Sequence, residues 1–591
     1  MEIPLYQGGN KHEIKYDSGE RPKMPSELDL KIRETLEAMT APGQLLELDT
    51  VEKFGVNLPI FKNAPQNVAD FLGHFCAVHA DKEFLVDGDI RLTFGETYAA
   101  ARTLAGGLIE GHGVQKGDRI GIAARNSANW IILDMAITLA GGVCTKLNGW
   151  WQGDELADGI EDVSCSIVFA DPQRGKRLSE LNRDTGAELL IFDHDLPPLE
   201  GLKVLLAKGG GAETALPQLG PEDNATILFT SGSTGRSKGA YAEHRSVVQG
   251  AMSFVGAFAV MVDIMEKAGT MPDVQPTAMV AVPLFHVTAS VPLVLVSYAI
   301  GRKLVMLNKW DAEEAMKLIE KEQVTYFVGV PLMSMEIYSH PKLSEYDLST
   351  CVSMAAGGAP RPAEHVKRIK DAMGEGFPII GYGLTETNGV GCSNQNENYL
   401  AHPNSTGRAT PPIVDVAILD DDGNEVAQGE RGEVCIRTAA NFTGYWENDQ
   451  ATDEAFFDNG YFRSGDIGYF DDDDYLYIVD RKKEIIIRGG ENISCQEVEA
   501  AIYSNKSIAE ACIFGVEDER FGEVPALVYH VKDGHTLPQE ALLDYLKDKL
   551  APFKMPVHIW QYDDPLPKLG TAKIAKIVIA KKHREMLAET G

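Results

Sequence analysis

The chain has 591 residues, 44% of them hydrophobic and 24% charged, which exceeds what one hydrophobic core usually serves and excludes a single small module, a disordered chain and a fibrous one. Its 55 Lys+Arg against 87 Asp+Glu give a net charge of −32, which argues against nucleic acid and anionic lipid surfaces as partners. An anionic substrate must therefore be caught by local basic groups and backbone N–H donors.

The opening stretch, MEIPLYQGGNKHEIKYDSGERP, has no apolar core of the kind a signal peptide needs, and eight scattered cysteines form no C-x-x-C pair. Both observations lead to the expectation of a cytoplasmic protein with reduced thiols. Residues 1–65 are irregular apart from a helical pattern around Ser26 to Met39. Helical patterns then surround a short strand, RLTF (Arg91 to Phe94), and the runs RIGIAA, WIILDMAITLAGG, SIVFA and ELLIF alternate strand and helix as far as Asp193. Strand-length apolar runs separated by helical segments predict parallel strands with crossover helices.

A Pro/Gly-rich connector covers Leu196 to Gly220, and a second α/β unit is predicted to open with ATILFT (Ala225 to Thr230) and run through TAMVAVPL, KLVML, YFVGV, VSMAAGG and PIIGYG. Thr277 to Ile300 is apolar enough to suggest a membrane span, but Pro283, His286 and Pro292 fit a buried strand, a loop and a buried helix better. From Thr406 to Asp480 short strands with acidic turns predict a small β-barrel or sheet, and the remainder has an αβ pattern of its own. The fold class is α/β. A large N-terminal domain, 1–480, comprises two α/β subdomains (about 66–200 and 221–405) and a small β-barrel (406–480), and a small α+β domain follows over 484–591.

The strongest local signal follows ATILFT: Thr230-Ser231-Gly232-Ser233-Thr234-Gly235-Arg236-Ser237-Lys238-Gly239. Its glycines let the backbone fold around phosphate oxygens, its hydroxyls add donors, and Lys238 adds positive charge. The G-x-x-x-x-G-K-[ST] spacing is absent, so this is not a Walker A loop. Gly357 and Gly358 follow an apolar strand and leave bare backbone for a flat ring, within Ala356-Gly357-Gly358-Ala359-Pro360. In GYGLTETNG, Thr385 and Glu386 fall at a strand end, where open α/β sheets place ligands, and a carboxylate beside a triphosphate suits Mg²⁺. Asp466 follows Ser464-Gly465 in a turn, where a carboxylate accepts hydroxyls well. No Ser-His-Asp triad with recognisable spacing is present.

These segments, with Val282-Pro283-Leu284-Phe285-His286, Asp480-Arg481-Lys482-Lys483-Glu484, Arg488-Gly489-Gly490 and the string Pro567 to Lys576, resemble the adenylate-forming superfamily in identity and order over about residues 90–580. The resemblance implies an ATP-dependent acid:CoA ligase that forms an acyl-adenylate with release of pyrophosphate and passes the acyl group to coenzyme A. It implies that Thr230 to Gly235 hold phosphates, that Gly357, Gly358 and Ala359 meet adenine, that Tyr382 stacks on it beside Gly383, and that Thr385 contacts phosphate. It further implies Glu386 as the Mg²⁺ ligand, Asp466 and Arg481 at the ribose, and His286 near the acyl site.

By the same resemblance Lys483 is the hinge of a mobile small domain within 481–483, Gly489 and Gly490 border the thiol tunnel, and Lys573 is the closing lysine. Lys568 and Lys576 are nearby alternatives to Lys573, and Ala572 stands where the family usually has Gly. Leu147 to Trp151 and Val516 to Glu523 resemble fatty-acid and related CoA ligases. An adenylating enzyme serving a separate carrier protein, and a non-catalytic nucleotide-binding scaffold, are the other readings; a homodimer is compatible with all three. Apolar residues over Ser246 to Val262, His286, Val330 to Met335 and the backbone near Gly357 predict a pocket for a hydrophobic acid: medium- to long-chain fatty, aryl or sterol-derived.

Overall fold

The apolar, β-branched runs pair as parallel strands because both faces of each sheet are covered by helices. The computed structural model describes residues 26–230, 237–271, 273–359, 361–374, 376–482, 484–488, 491–518, 520–547, 549–569 and 573–590. Among the described residues a seven-stranded and a nine-stranded sheet make the body of the large domain.

The two sheets are not drawn from two consecutive stretches of chain. Asn224–Phe229, expected to open the second unit, pairs parallel with Val143–Lys146 in the first sheet, and Gly239–Glu243 and Gly444–Tyr445 extend that sheet antiparallel. Conversely, Glu83–Asp87 and Ile90–Thr93, expected in the first unit, join the second sheet through Glu83–Asp87 beside Lys303–Met306. A strand's apolar pattern specifies that it is buried, not which edge it extends, so the subdomain boundaries near 200 and 221 are crossed in both directions.

Thr277 to Ile300 is a buried strand, Thr277–Val280, then a loop, then helical turns over Val287–Ile300 with a π-helical stretch at Ser290–Leu295. Among the described residues, the helix long and apolar enough to cross a membrane is instead His244–Ala268. Its first half, including Val247, Val248, Ala251 and Met252, is buried in the core. The helix at Ser26 to Met39 is Glu27–Thr40, started by a capping box in which Ser26 accepts from the Asp29 N–H and Asp29 accepts from the Ser26 N–H.

The small β-barrel expected over 406–480 is a four-stranded antiparallel sheet, Asp415–Leu419, Gly432–Arg437, Phe462–Phe470 and Leu476–Arg481, whose outer strands do not pair with each other among the described residues. Beyond it, a five-stranded sheet built on the long Ile508–Asp518 and Gly522–Val531 pair carries its own core of Ile486, Val498, Ile513, Leu527 and Leu542. All eight cysteines are buried free thiols.

Candidate active site

The parallel strands Ser353–Gly357 and Phe377–Gly383 of the second sheet run side by side; the first ends at Gly357, opposite Gly381, and the second continues to Gly383. At this rim a cavity of about 1590 Å³ opens, lined among others by Thr230, Lys238, Gly357, Gly358, Tyr382, Glu386, Asp466, Arg481 and Lys573. Segments more than three hundred residues apart therefore meet at the carboxyl ends of parallel strands, where α/β sheets bind ligands. Ala359, Gly383 and Thr385 line the same cavity.

Asp466 lies in the Phe462–Phe470 strand and is 5% exposed. The Tyr382 hydroxyl donates to its Oδ2 at 2.7 Å and Arg481 Nε lies 2.9 Å from its Oδ1. Antiparallel register explains the second contact, since Asp466 and Arg481 are direct partners across adjacent strands. Burial pushes the Asp466 carboxyl above the usual range, against the pull of Arg481 and Tyr382.

Glu386 occupies a short 3₁₀ turn, Thr385–Thr387, and is 8% exposed. Tyr445 donates its hydroxyl to Glu386 Oε1 at 2.7 Å, and the Lys238 ammonium stands 4.3 Å from the centroid of the Tyr445 ring. Burial raises the Glu386 carboxyl, and the Tyr445 hydrogen bond opposes it. Sequence reasoning missed Tyr445: only the pairing of Gly444–Tyr445 with Gly239–Glu243, in which Tyr445 faces Ala240, brings it beside Lys238. With one oxygen held and the carboxylate turned to a cavity that also contains Thr385 and Lys238, the donor set suits a hard cation sharing phosphate oxygens.

Thr230 donates its N–H to Lys238 O at 3.0 Å, which ties together the two ends of the Ser/Gly-rich segment. Ser231, Gly232, Ser233, Thr234 and Gly235 lie outside the described residues, as do Lys483, Gly489, Gly490 and Ala572.

The three candidate lysines separate clearly. Lys568 is tied to Glu510 at 2.7 Å and Lys576 to Glu484 at 2.8 Å, whereas Lys573 lines the cavity. A Cβ on Gly358 would stand 3.3 Å from the Lys573 Nζ, and Gly358 adopts φ +71°, a conformation that favours glycine. The Leu569 N–H donates to Lys573 O at 2.7 Å. Burial and the nearby Arg481 lower the Lys573 pKa, and Asp466 opposes them.

His286 stands where the nucleotide end meets an apolar arm formed by Phe254, Phe258, Met261, Val282 and Val330. Burial and the charge of Lys573 push its pKa down to about 4, so the ring is neutral near pH 7, and its Nε2 has no hydrogen-bond partner. Two parts of the expected pocket wall lie elsewhere. The Ser246 to Ser253 turns face the core, and of Val330 to Met335 only Val330 reaches the cavity, because the helix Pro331–Tyr338 turns Met333 and Met335 into a separate cluster.

A sequence family described as "AMP-binding enzyme" matches residues 72–446, and its C-terminal domain matches residues 497–573. The chain belongs to the AMP-binding enzyme family. Feruloyl-CoA synthase of Amycolatopsis sp is 31% identical to this AMP-binding enzyme over 494 residues, which is 83% of this chain and 93% of that one. The long-chain-fatty-acid–CoA ligase FadD13 of Mycobacterium tuberculosis is 30% identical over 496 residues, 84% of this chain and 94% of that one. The crystal structure of ATP-bound MatB from Rhodopseudomonas palustris superposes with a TM-score of 0.76 at 26% identity, covering 88% of this chain and 99% of that one. This AMP-binding enzyme is an acyl-CoA synthetase of the AMP-forming type, an acid–CoA ligase.

Proposed function

We propose that the enzyme joins a hydrophobic carboxylic acid to coenzyme A, with ATP and Mg²⁺, by way of an acyl-adenylate. The observation that carries this reading is the seating of the Lys573 ammonium against Gly358, in one cavity with Glu386, Asp466 and Arg481 and at the mouth of an apolar arm.

In the first step a carboxylate oxygen of the acid bonds to the α-phosphorus, and the bond to pyrophosphate breaks. Two anions must approach, so the protein supplies positioned cations and donors rather than a nucleophile of its own. Lys573 bridges the carboxylate and the α-phosphate, Lys238 and the loop from Thr230 to Gly235 hold the outer phosphates with Thr385, and Asp466 with Arg481 holds the ribose. Gly357, Gly358, Ala359 and Gly383 leave room for adenine beside Tyr382. When bound, Mg²⁺ on Glu386 neutralises phosphate charge. Neutral His286 stands between the nucleotide and the acyl arm without adding a charge there.

In the second step the thiol of coenzyme A attacks the adenylate carbonyl and AMP leaves. The small domain turns about Lys483, withdraws Lys573 and brings the backbone of Gly489 and Gly490 to the thiol, where a side chain would fill the passage. The buried, unpaired thiols accord with a cytoplasmic enzyme.

The test is exchange of radiolabelled pyrophosphate into ATP, with a panel of apolar acids and amino acids and no coenzyme A. Exchange that depends on an apolar acid supports the reading. Exchange with amino acids alone contradicts the hydrophobic assignment, and a product found only on an added carrier protein would replace coenzyme A as acceptor.

A further inference from the structure

The cavity continues well beyond the reacting carboxylate. Its lining includes Ser353, Ala355, Ala356 and Gly357 of one strand of the second sheet, whereas Met354 is buried in a separate cluster. Four residue steps along a parallel strand span roughly 13 Å. On the neighbouring strand Tyr326, the partner of Ser353, and Val328 line it too. Beside Tyr326, the lining of the same cavity includes Arg302.

Arg302 is 5% exposed and has no carboxylate partner among the described residues. Its Nε donates to Ser297 Oγ at 2.8 Å, and its Nη2 donates to Leu293 O at 2.9 Å and to Pro292 O at 3.3 Å, both in the π-helical stretch. The guanidinium lies 4.9 Å from the centroid of the Tyr326 ring. Its Nη1 makes no hydrogen bond among the described residues, and neither does the Tyr326 or the Ser353 hydroxyl. Burial lowers the pKa only to about 10, so the group is a cation near pH 7.

Three other buried basic groups face a carboxylate: Lys53 meets Glu243 at 3.0 Å, Lys146 meets Asp134 at 3.0 Å and Arg174 meets Asp171 at 3.0 Å. Lys303, the next residue, faces Glu322 at 3.1 Å. Arg361 also lacks a carboxylate, but it does not line the cavity. A buried charge ordinarily has a counter-charge, and Arg302 is a basic group on the cavity wall for which the described residues supply none.

We propose that the acid activated here carries a second carboxylate at its far end, received by the Arg302 guanidinium with the Tyr326 and Ser353 hydroxyls. The inference rests on the ligase reading and narrows it: the substrate is a dicarboxylic acid with an apolar body, its two carboxylates roughly 13 Å apart. One carboxylate reacts at Lys573 and the other stays ionised at Arg302. Arg is suited to that end because its planar fork meets a carboxylate through two donors.

The experiment measures kcat/KM for acid-dependent pyrophosphate exchange with unbranched dicarboxylic acids of rising length and with monocarboxylic acids of matching length. Wild type, Arg302→Met and Tyr326→Phe are compared. The expected result is a wild-type preference for the diacid that peaks at one length. Arg302→Met should lose about 10- to 100-fold on that diacid while keeping or gaining activity on the monoacid, which also shows that the variant is folded. Tyr326→Phe should lower the diacid preference to a smaller degree. A wild-type preference for monoacids overturns the inference even if Arg302→Met fails to fold, and so does an unchanged preference in both variants. If wild type activates no acid of either series but does activate others, the dicarboxylate is refuted and the ligase reading stands. If it activates no acid at all, both fall.

Discussion

Replacing Tyr445 with Phe removes one oxygen and leaves everything else at the site in place, including the ring over which the Lys238 ammonium stands at 4.3 Å. In wild type that oxygen donates to Glu386 at 2.7 Å, and Glu386 is only 8% exposed, so water cannot readily replace the lost donor. A hydrogen bond to a charged group contributes about 1.5–3 kcal/mol, and loss of a group that orients a ligating carboxylate costs about 10- to 100-fold in metal affinity or activity. The two figures agree at about 1.4 kcal/mol per factor of ten. Without the donor, burial raises the Glu386 carboxyl further, so protons compete better with Mg²⁺ and the defect grows as pH falls. The assay is acid-dependent pyrophosphate exchange titrated with Mg²⁺ at fixed ATP. Tyr445→Phe should need about 10- to 100-fold more Mg²⁺ for half-maximal rate. A titration curve that superimposes on wild type at every pH would refute the reasoning.

Lys573→Ala should slow adenylate formation by about 10²- to 10³-fold while leaving transfer from a supplied acyl-adenylate to coenzyme A near wild type, which single-turnover measurements of each half-reaction would check. Gly358→Ala should slow the same first step, because φ +71° strains any side chain and the new Cβ would stand 3.3 Å from the Lys573 Nζ. Its signature is a loss in adenylation rate with transfer intact. Asp466→Asn should raise KM for ATP by about tenfold and shrink the discrimination between ATP and its 2′-deoxy analogue, read in competition assays. His244 is 1% exposed, accepts the Val68 N–H at 3.2 Å on Nδ1, and is pushed by burial down to about 4. Its folded pKa lies below the unfolded value near 6.5, so the unfolded chain takes the proton first and stability falls as pH drops through that interval, by about 3 kcal/mol in all. His244→Asn lacks this loss, so thermal unfolding of wild type and variant should converge as pH falls from about 6.5 to about 4.

Much of this site could be read from the sequence because its residues sit at strand ends and tight turns, where a glycine or a carboxylate next to an apolar run has few other uses. Glu386, Asp466, Arg481, Gly358 and Lys573 line one cavity. Tyr445 was invisible because its role arises from the pairing of Gly444–Tyr445 with Gly239–Glu243, across about two hundred residues. The choice among Lys568, Lys573 and Lys576 depended on which lysines find carboxylates, Glu510 and Glu484, supplied by other segments. Strand identity was legible but sheet membership was not, since Asn224–Phe229 and Glu83–Asp87 are buried whichever sheet they join. Arg302 gave no signal either. In sequence it is one basic residue before Lys303, and only burial without a partner sets it apart.

The most direct test of the central claim follows all the products of one reaction, with purified enzyme, ATP, Mg²⁺, coenzyme A and an acid that supports exchange, resolved by chromatography and mass spectrometry. The account predicts AMP, pyrophosphate and acyl-CoA in equal amounts, all three dependent on the acid. ADP and phosphate in place of AMP and pyrophosphate, or AMP accumulating without acyl-CoA, would contradict it.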